Sequence, residues 1–224
     1  MCNGYTQRQI CFMNRIQQLW GQHVYWTRSF IISTAAGSGD LEPVTHRLLQ
    51  NPKDFAQLLA PIYGEKTAGQ FQELFTQHLL IAADLVNAAK NADVSKADAA
   101  RKRWYANADE IAGFLSCINP CWSQATWKKM LYSHLEMTEK EAALRLQGNY
   151  TADIAIFDRI ADEAMKMANY MFCGIIKQCK RENPGNRSGR TGGAASDAWL
   201  CRTPQKNKKR RGIPFGSPGF AASA

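Results

Sequence analysis

The stretch Leu19–Ser33 reads LWGQHVYWTRSFIIS. Its apolar and aromatic residues return at steps of three and four, through Leu19/Trp20, Val24, Thr27 and Phe30/Ile31. That period places them on one side of a helix. The pattern extends back to Ile16, so a helix is predicted over residues 7–36, ended by the glycines of AAGSGD. His23 falls in line with Trp20, Trp26, Thr27 and Phe30, on the side that packing has to bury. A buried imidazole needs a hydrogen-bond partner or a ligand.

The same grammar describes the chain on either side. Asp40 is placed to cap a short helix through Gln50, with Pro43 in its first turn. Asn51 and Pro52 open another, stopped at Gly64. A second long helix is predicted from Thr67 to Lys90, with Phe71, Leu74/Phe75, His78, Ile81 and Leu85 along one stripe. A third starts at Ser95, where Asp98 completes a capping box, and closes at INP, because the residue before proline is pushed out of the helical region. A shorter helix from Ser123 to Met137 carries Trp127, Leu131 and His134. Thr138 with Glu141 then reads as the capping box of a last long helix running to Cys179, with a kink allowed at Gly148. No period-two run of β-branched residues interrupts the series. Four long amphipathic helices with short links predict an all-α, antiparallel bundle, its ends covered by the additional short helices.

The net charge of +9 belongs almost wholly to one end. From Lys180 onward there are ten Lys/Arg and two Asp/Glu, against eighteen and seventeen in residues 1–179. The division is therefore a helical domain over 1–179 and a basic tail over 180–224. The tail holds seven of the sixteen glycines and four of the eight prolines without periodicity, the composition of a disordered segment. A nearly neutral domain offers no basic surface for nucleic acid. The uncharged run from Ser29 to Gly39 is far short of the roughly 20 residues a membrane span needs. Seven irregularly spaced cysteines make a poor disulfide framework, and no leader of the secretory type opens the chain. A reduced, cytoplasmic location is the expectation.

Several stretches together resemble one family. LWGQHVYWTRSFIIS, DLEPVTHRLLQNPKDFAQLL, HLLIAADLVNAAK, RWYANADEIAGFL, INPCW, LYSHLEMTEKEA and GNYTADIAIFDRI are similar to small helical proteins of Bacillus- and Clostridium-type bacteria, over roughly residues 15–178. The resemblance stops where the tail begins. It implies a helical fold and no particular activity. Proteins of this kind are often labelled acetylglutamate kinase, and the residues lend that label no support. Such a kinase needs a sheet and glycine-rich loops around phosphate. The pair Gly37–Gly39 lies between two helices instead.

Chemistry has to come from polar groups on the inward stripes. His23, His78 and His134 each sit on that stripe of a different helix, while His46 reads as a surface residue. Asn149 and Asp153 continue a stripe through Phe157 and Ile160, and Asn107 lies between Trp104 and Ile111. Asp84 and Asn87, three apart, share one side of their helix. Bundles build sites from inward side chains on facing helices. Hence His23, His78, His134 and Asp153 are candidate ligands of a divalent metal ion such as zinc, iron or manganese. Arg28, Asp84, Asn87, Asn107 and Asn149 are candidate contacts to a small ligand. No Glu-x-x-His or His-x-x-x-His pair accompanies them. Three readings stay open: a metal site, a metal-free polar pocket, and separate core histidines each bonded to a carboxylate or carbonyl. The function classes that follow are a ligand- or metal-binding module, an enzyme using these histidines as base or metal ligands, and a structural or oligomerising bundle without a site. Cys117 and Cys121 are separated by Pro120, and the sequence nominates no further soft ligands beside them.

Overall fold

The computed structural model describes residues 4–182, with side chains through Gln178. The tail predicted over 180–224 lies outside the described residues apart from its first helical positions. Seven helices and no strand occupy the described chain: α1 Gln7–Ala36, α2 Leu41–Leu48, α3 Asn51–Tyr63, α4 Glu65–Lys90, α5 Val94–Ile118, α6 Gln124–Leu146 and α7 Tyr150–Glu182. None is long and apolar enough to cross a membrane, among the described residues.

Local signals place most of the boundaries. Thr6 and Gln9 form a reciprocal capping box at the start of α1. Gly37, at φ 63°, ends it, and the Gly37 and Ser38 amides donate to Thr34 and Ser33. Lys90 adds a charged donor to the Thr34 carbonyl at 2.6 Å. Asp93 and Ser123 cap α5 and α6 by accepting from Lys96 and Thr126.

Several boundaries differ from the sequence reading. Asp40 makes no side-chain cap bond at α2, and Asn51 lies inside α3 rather than capping it. The α4 helix starts at Glu65, and Asp93 rather than the Ser95–Asp98 pair caps α5. The largest difference is at α6. The helix expected to stop at Met137 continues through Thr138 to Leu146. Thr138 has a helix former on either side of it and is buried at 3 % exposure, so its side chain belongs to the interior. Glu141 reaches Arg28 on α1 rather than back to a helix end. The true stop is Gly148, at φ 74°, where the Gly148 and Asn149 amides close on the Arg145 and Leu144 carbonyls. Five long helices result, with α2 and α3 as the short ones.

Contacting pairs fix their directions. Phe71–Phe114, His78–Asn107 and Asp84–Arg103 run oppositely along α4 and α5. Asp109–Lys128 and Arg101–Glu139 do the same for α5 and α6, and Trp127–Tyr170 and Arg145–Asp153 for α6 and α7. Phe12–Phe172 and Arg28–Asp153 make α1 and α7 antiparallel. By contrast Trp20–Phe75 and His23–His78 advance together, as do Trp20–Trp127 and Arg28–Glu141. Thus α1, α4 and α6 run in one direction, and α5 and α7 run back between them. The core they enclose is strongly aromatic, with Trp20, Phe55, Phe71, Phe75, Trp104 and Trp127 all buried.

Candidate metal centre

His23, His78 and His134 come from the three co-directional helices and meet in that aromatic core. Their exposures are 1 %, 1 % and 2 %. Ring centroids lie 5.4 Å apart for His23–His134, 6.1 Å for His23–His78 and 6.4 Å for His78–His134. One ring nitrogen from each falls within 4.8 Å of the other two. Phe75 stacks on His23 at 4.8 Å and on His78 at 5.9 Å, and Trp104 lies 5.4 Å from His78. Water is largely excluded, so charge on any of these rings is expensive.

The electrostatics follow from that burial. Desolvation holds His78 down to about 4 and His134 down to about 3, with His78 further opposing a proton on His134. His23 is lowered well below the ordinary value, again by burial first and then by its two imidazole neighbours. At neutral pH all three are uncharged, the form that ligates metal.

Two asparagines stand beside two of the rings, anchored in the same way, and one of them orients its ring. Asn107 on α5 donates its Nδ2 to the Leu74 carbonyl at 3.1 Å. A carbonyl can only accept, so Asn107 Oδ1 faces His78 Nδ1, at 3.1 Å. Nδ1 therefore carries the hydrogen and Nε2 keeps its lone pair. Asn51, at the start of α3, donates its Nδ2 to the Leu19 carbonyl at 2.9 Å. Leu19 precedes His23 by four residues, as Leu74 precedes His78. Asn51 Oδ1 is thereby turned towards His23 and favours a proton there, without the alignment of a formed hydrogen bond. His23 Nδ1 and His134 Nδ1 are both buried without a partner. Such orphaned nitrogens each cost about 1–3 kcal/mol.

The remaining candidates from the sequence lie elsewhere. Asp153 is buried and inward, but it joins Arg28 in a two-pronged pair at 2.7 and 3.2 Å and Arg145 at 3.1 Å. Glu141 completes this cluster, 2.5 Å from Arg28. Burial pushes the Glu141 carboxyl up to about 7, against the pull of Arg28. The cluster stands one to two turns beyond the histidines along α1 and α6, so Asp153 and Arg28 serve as ties between α1, α6 and α7. Asn149 is exposed and caps α7 through the Ala152 amide. Its expected inward place is lost because Gly148 breaks the helix just before it. Asp84 and Asn87 share a face of α4, as expected, but an exposed one: Asp84 pairs with Arg103 at 2.8 Å, and Asn87 bonds the Ala83 carbonyl. Asn107 alone of the ligand-contact set touches the histidines. His46 is exposed, and Cys117 and Cys121 stay outside the group that could hold a metal.

Asn51 was missed as a site residue because Asn before Pro is a helix-start signal in its own right. Its polar side chain is buried at 0 % exposure, which no local pattern announces.

No family model matches the chain, and neither a curated protein nor a solved structure shows significant similarity to it.

Proposed function

We propose that the protein is a metal-binding helical bundle in which His23, His78 and His134 hold one first-row divalent ion. The single observation that carries this reading is the meeting of three neutral, buried imidazoles with nitrogens within 4.8 Å of one another. With Asp153 engaged by two arginines, the donor set is all nitrogen, which suits zinc or iron better than manganese. Two nitrogens on one zinc stand about 3.4 Å apart at tetrahedral angles, so closure asks for ring shifts of about 1 Å. An ion would give the three converging ring nitrogens a shared partner.

Three protein nitrogens leave at least one coordination position open, the arrangement of catalytic sites rather than closed structural ones. That observation favours, as a second reading, an enzyme whose ion polarises a bound oxygen or activates water as a nucleophile near neutral pH. Shifts in the spectrum of the cobalt-loaded protein on adding azide would show that the position is accessible.

Elemental analysis of untagged protein tests the main reading. About one equivalent of metal is expected, lost in His78→Ala and retained in His46→Ala, the exposed histidine. Metal-free protein that also keeps its fold and stability with alanine at all three buried histidines would refute it.

A further inference from the structure

A cavity of about 160 Å³ lies within the bundle, lined from α1, α2, α4, α5 and α6. Thr27, Ala82 and Thr138 belong to its wall, and each is the residue four positions after one of the three histidines. Because α1, α4 and α6 run in one direction, these residues form one layer a turn above the imidazoles. That layer closes the chamber off, since none of the three histidines lines it. The chamber is thus separate from the metal reading. Phe30, Ile31, Leu48, Leu79, Leu85 and Val86, all buried, make up most of the remaining wall. Small side chains leave the space open. Ala82 and Ala83 on α4, Ala97 on α5, and Ala142 and Ala143 on α6 stand where larger apolar residues would fill it.

The polar groups of this lining are already engaged or turned away. The Thr27 hydroxyl donates to the His23 carbonyl at 2.8 Å. Arg101 and Glu139 are the charged residues of the wall, and Arg101 Nε donates to Glu139 at 2.7 Å. Another Arg101 nitrogen meets Asp98. The Thr138 hydroxyl and the Trp104 indole N–H are buried out of reach of the space. A charged guest would therefore shed its water and find no partner. An ordered water fares no better, because it needs about two to four polar partners. An apolar guest gives up nothing of this kind and restores the dispersion contacts that an empty cavity forfeits. Size sets the other bound: an apolar cavity of about 150 Å³ accepts benzene. The lining reaches the surface at Ala89 and Ala143, which are exposed, beside the half-buried Arg101 and Glu139.

We propose that this chamber is a binding site for an uncharged, apolar small molecule of single-ring size, admitted past the Arg101–Glu139 pair. Charge is selected against by the absence of a free partner inside, and larger guests by volume.

The test titrates full-length protein with toluene by calorimetry and compares benzoate, which has the same ring and a charge. Toluene should bind saturably at about one equivalent, and benzoate about a hundredfold more weakly or not at all. Ala142→Leu fills the chamber and should weaken toluene by about tenfold or more, with helix content unchanged. Ala83→Leu makes the same demand from a half-buried position on α4, and it decides should Ala142→Leu fail to fold. The contrast between toluene and benzoate in the parent protein needs neither variant. No saturable toluene binding by the parent overturns the proposal, as does benzoate binding as tightly as toluene. Toluene binding that a folded chamber-filling variant leaves unchanged puts the guest elsewhere and overturns it too.

Discussion

Asn107 shows how much one side chain can set. Its amide is held by the Leu74 carbonyl, and its oxygen then fixes which nitrogen of His78 carries the proton. Asn107→Ala should therefore lower metal affinity by about 10–100-fold with helix content preserved, as judged by competition with a chromogenic chelator. An unchanged affinity would mean that His78 orients itself. The lowered proton affinities of the three imidazoles carry a second expectation, for metal-free protein. The unfolded chain protonates its histidines near pH 6.5, before the folded chain does, so these groups stabilise the fold fully above pH 6.5. That stability drains away as pH falls towards about 4 for His78 and about 3 for His134. Glu141, raised to about 7, works in the opposite sense, so the difference between parent and His134→Phe isolates one imidazole. Urea unfolding between pH 6.5 and 4.5 should give the parent a slope steeper by up to about 1.4 kcal/mol per pH unit. Equal slopes would place His134 in contact with water. The inward direction of these histidines was legible from a 3.6-residue period. The service done by Asn51 was not, because its acceptor is Leu19, on a helix two elements earlier.

At the scale of the helix, Gly174 lets α7 pack closely against Trp122 in the α5–α6 connection. A Cβ built on Gly174 would stand 1.9 Å from Trp122 Nε1. Trp122 is 3 % exposed and donates to the Tyr170 carbonyl at 3.3 Å, so it has little room to retreat. Gly174→Ala gains helix propensity on paper, yet it should destabilise by about 1–3 kcal/mol through overpacking. Chemical denaturation measures this, and a stabilised variant would show that the indole moves freely. Gly148 shows why helix ends were only partly readable. The segment Thr138–Glu141 has the spacing of a capping box, and Gly148 has the conformational freedom of a stop. Either reading satisfies the local rules. Packing decides between them, since Met137, Thr138, Glu141 and Ala142 are all buried against other helices. Asn149 was misplaced by the same ambiguity, whereas α1, with strong signals at both ends, matches its expected limits.

Across the whole molecule, the decisive property is the shared direction of α1, α4 and α6. It sets the three histidines at one level, Thr27, Ala82 and Thr138 at the next, and the Arg28 cluster beyond that. Periodicity identifies each stripe but contains no information about the relative height of two helices, and so Asp153 was assigned to the level of the imidazoles. The chain bends back between each of the three helices, leaving 55 residues from His23 to His78 and 56 from His78 to His134. In the unfolded polymer, bringing three such distant imidazoles onto one ion means closing two long loops at once, and each closure is entropically opposed. An ion bound by the triad consequently recognises the native ensemble almost alone, and every tenfold rise in its free concentration above Kd deepens stability by about 1.4 kcal/mol. Proteases attack mainly the opened population. The lifetime of this protein should thus track metal supply, so that starvation for the ion thins out the chain itself before any activity is assayed.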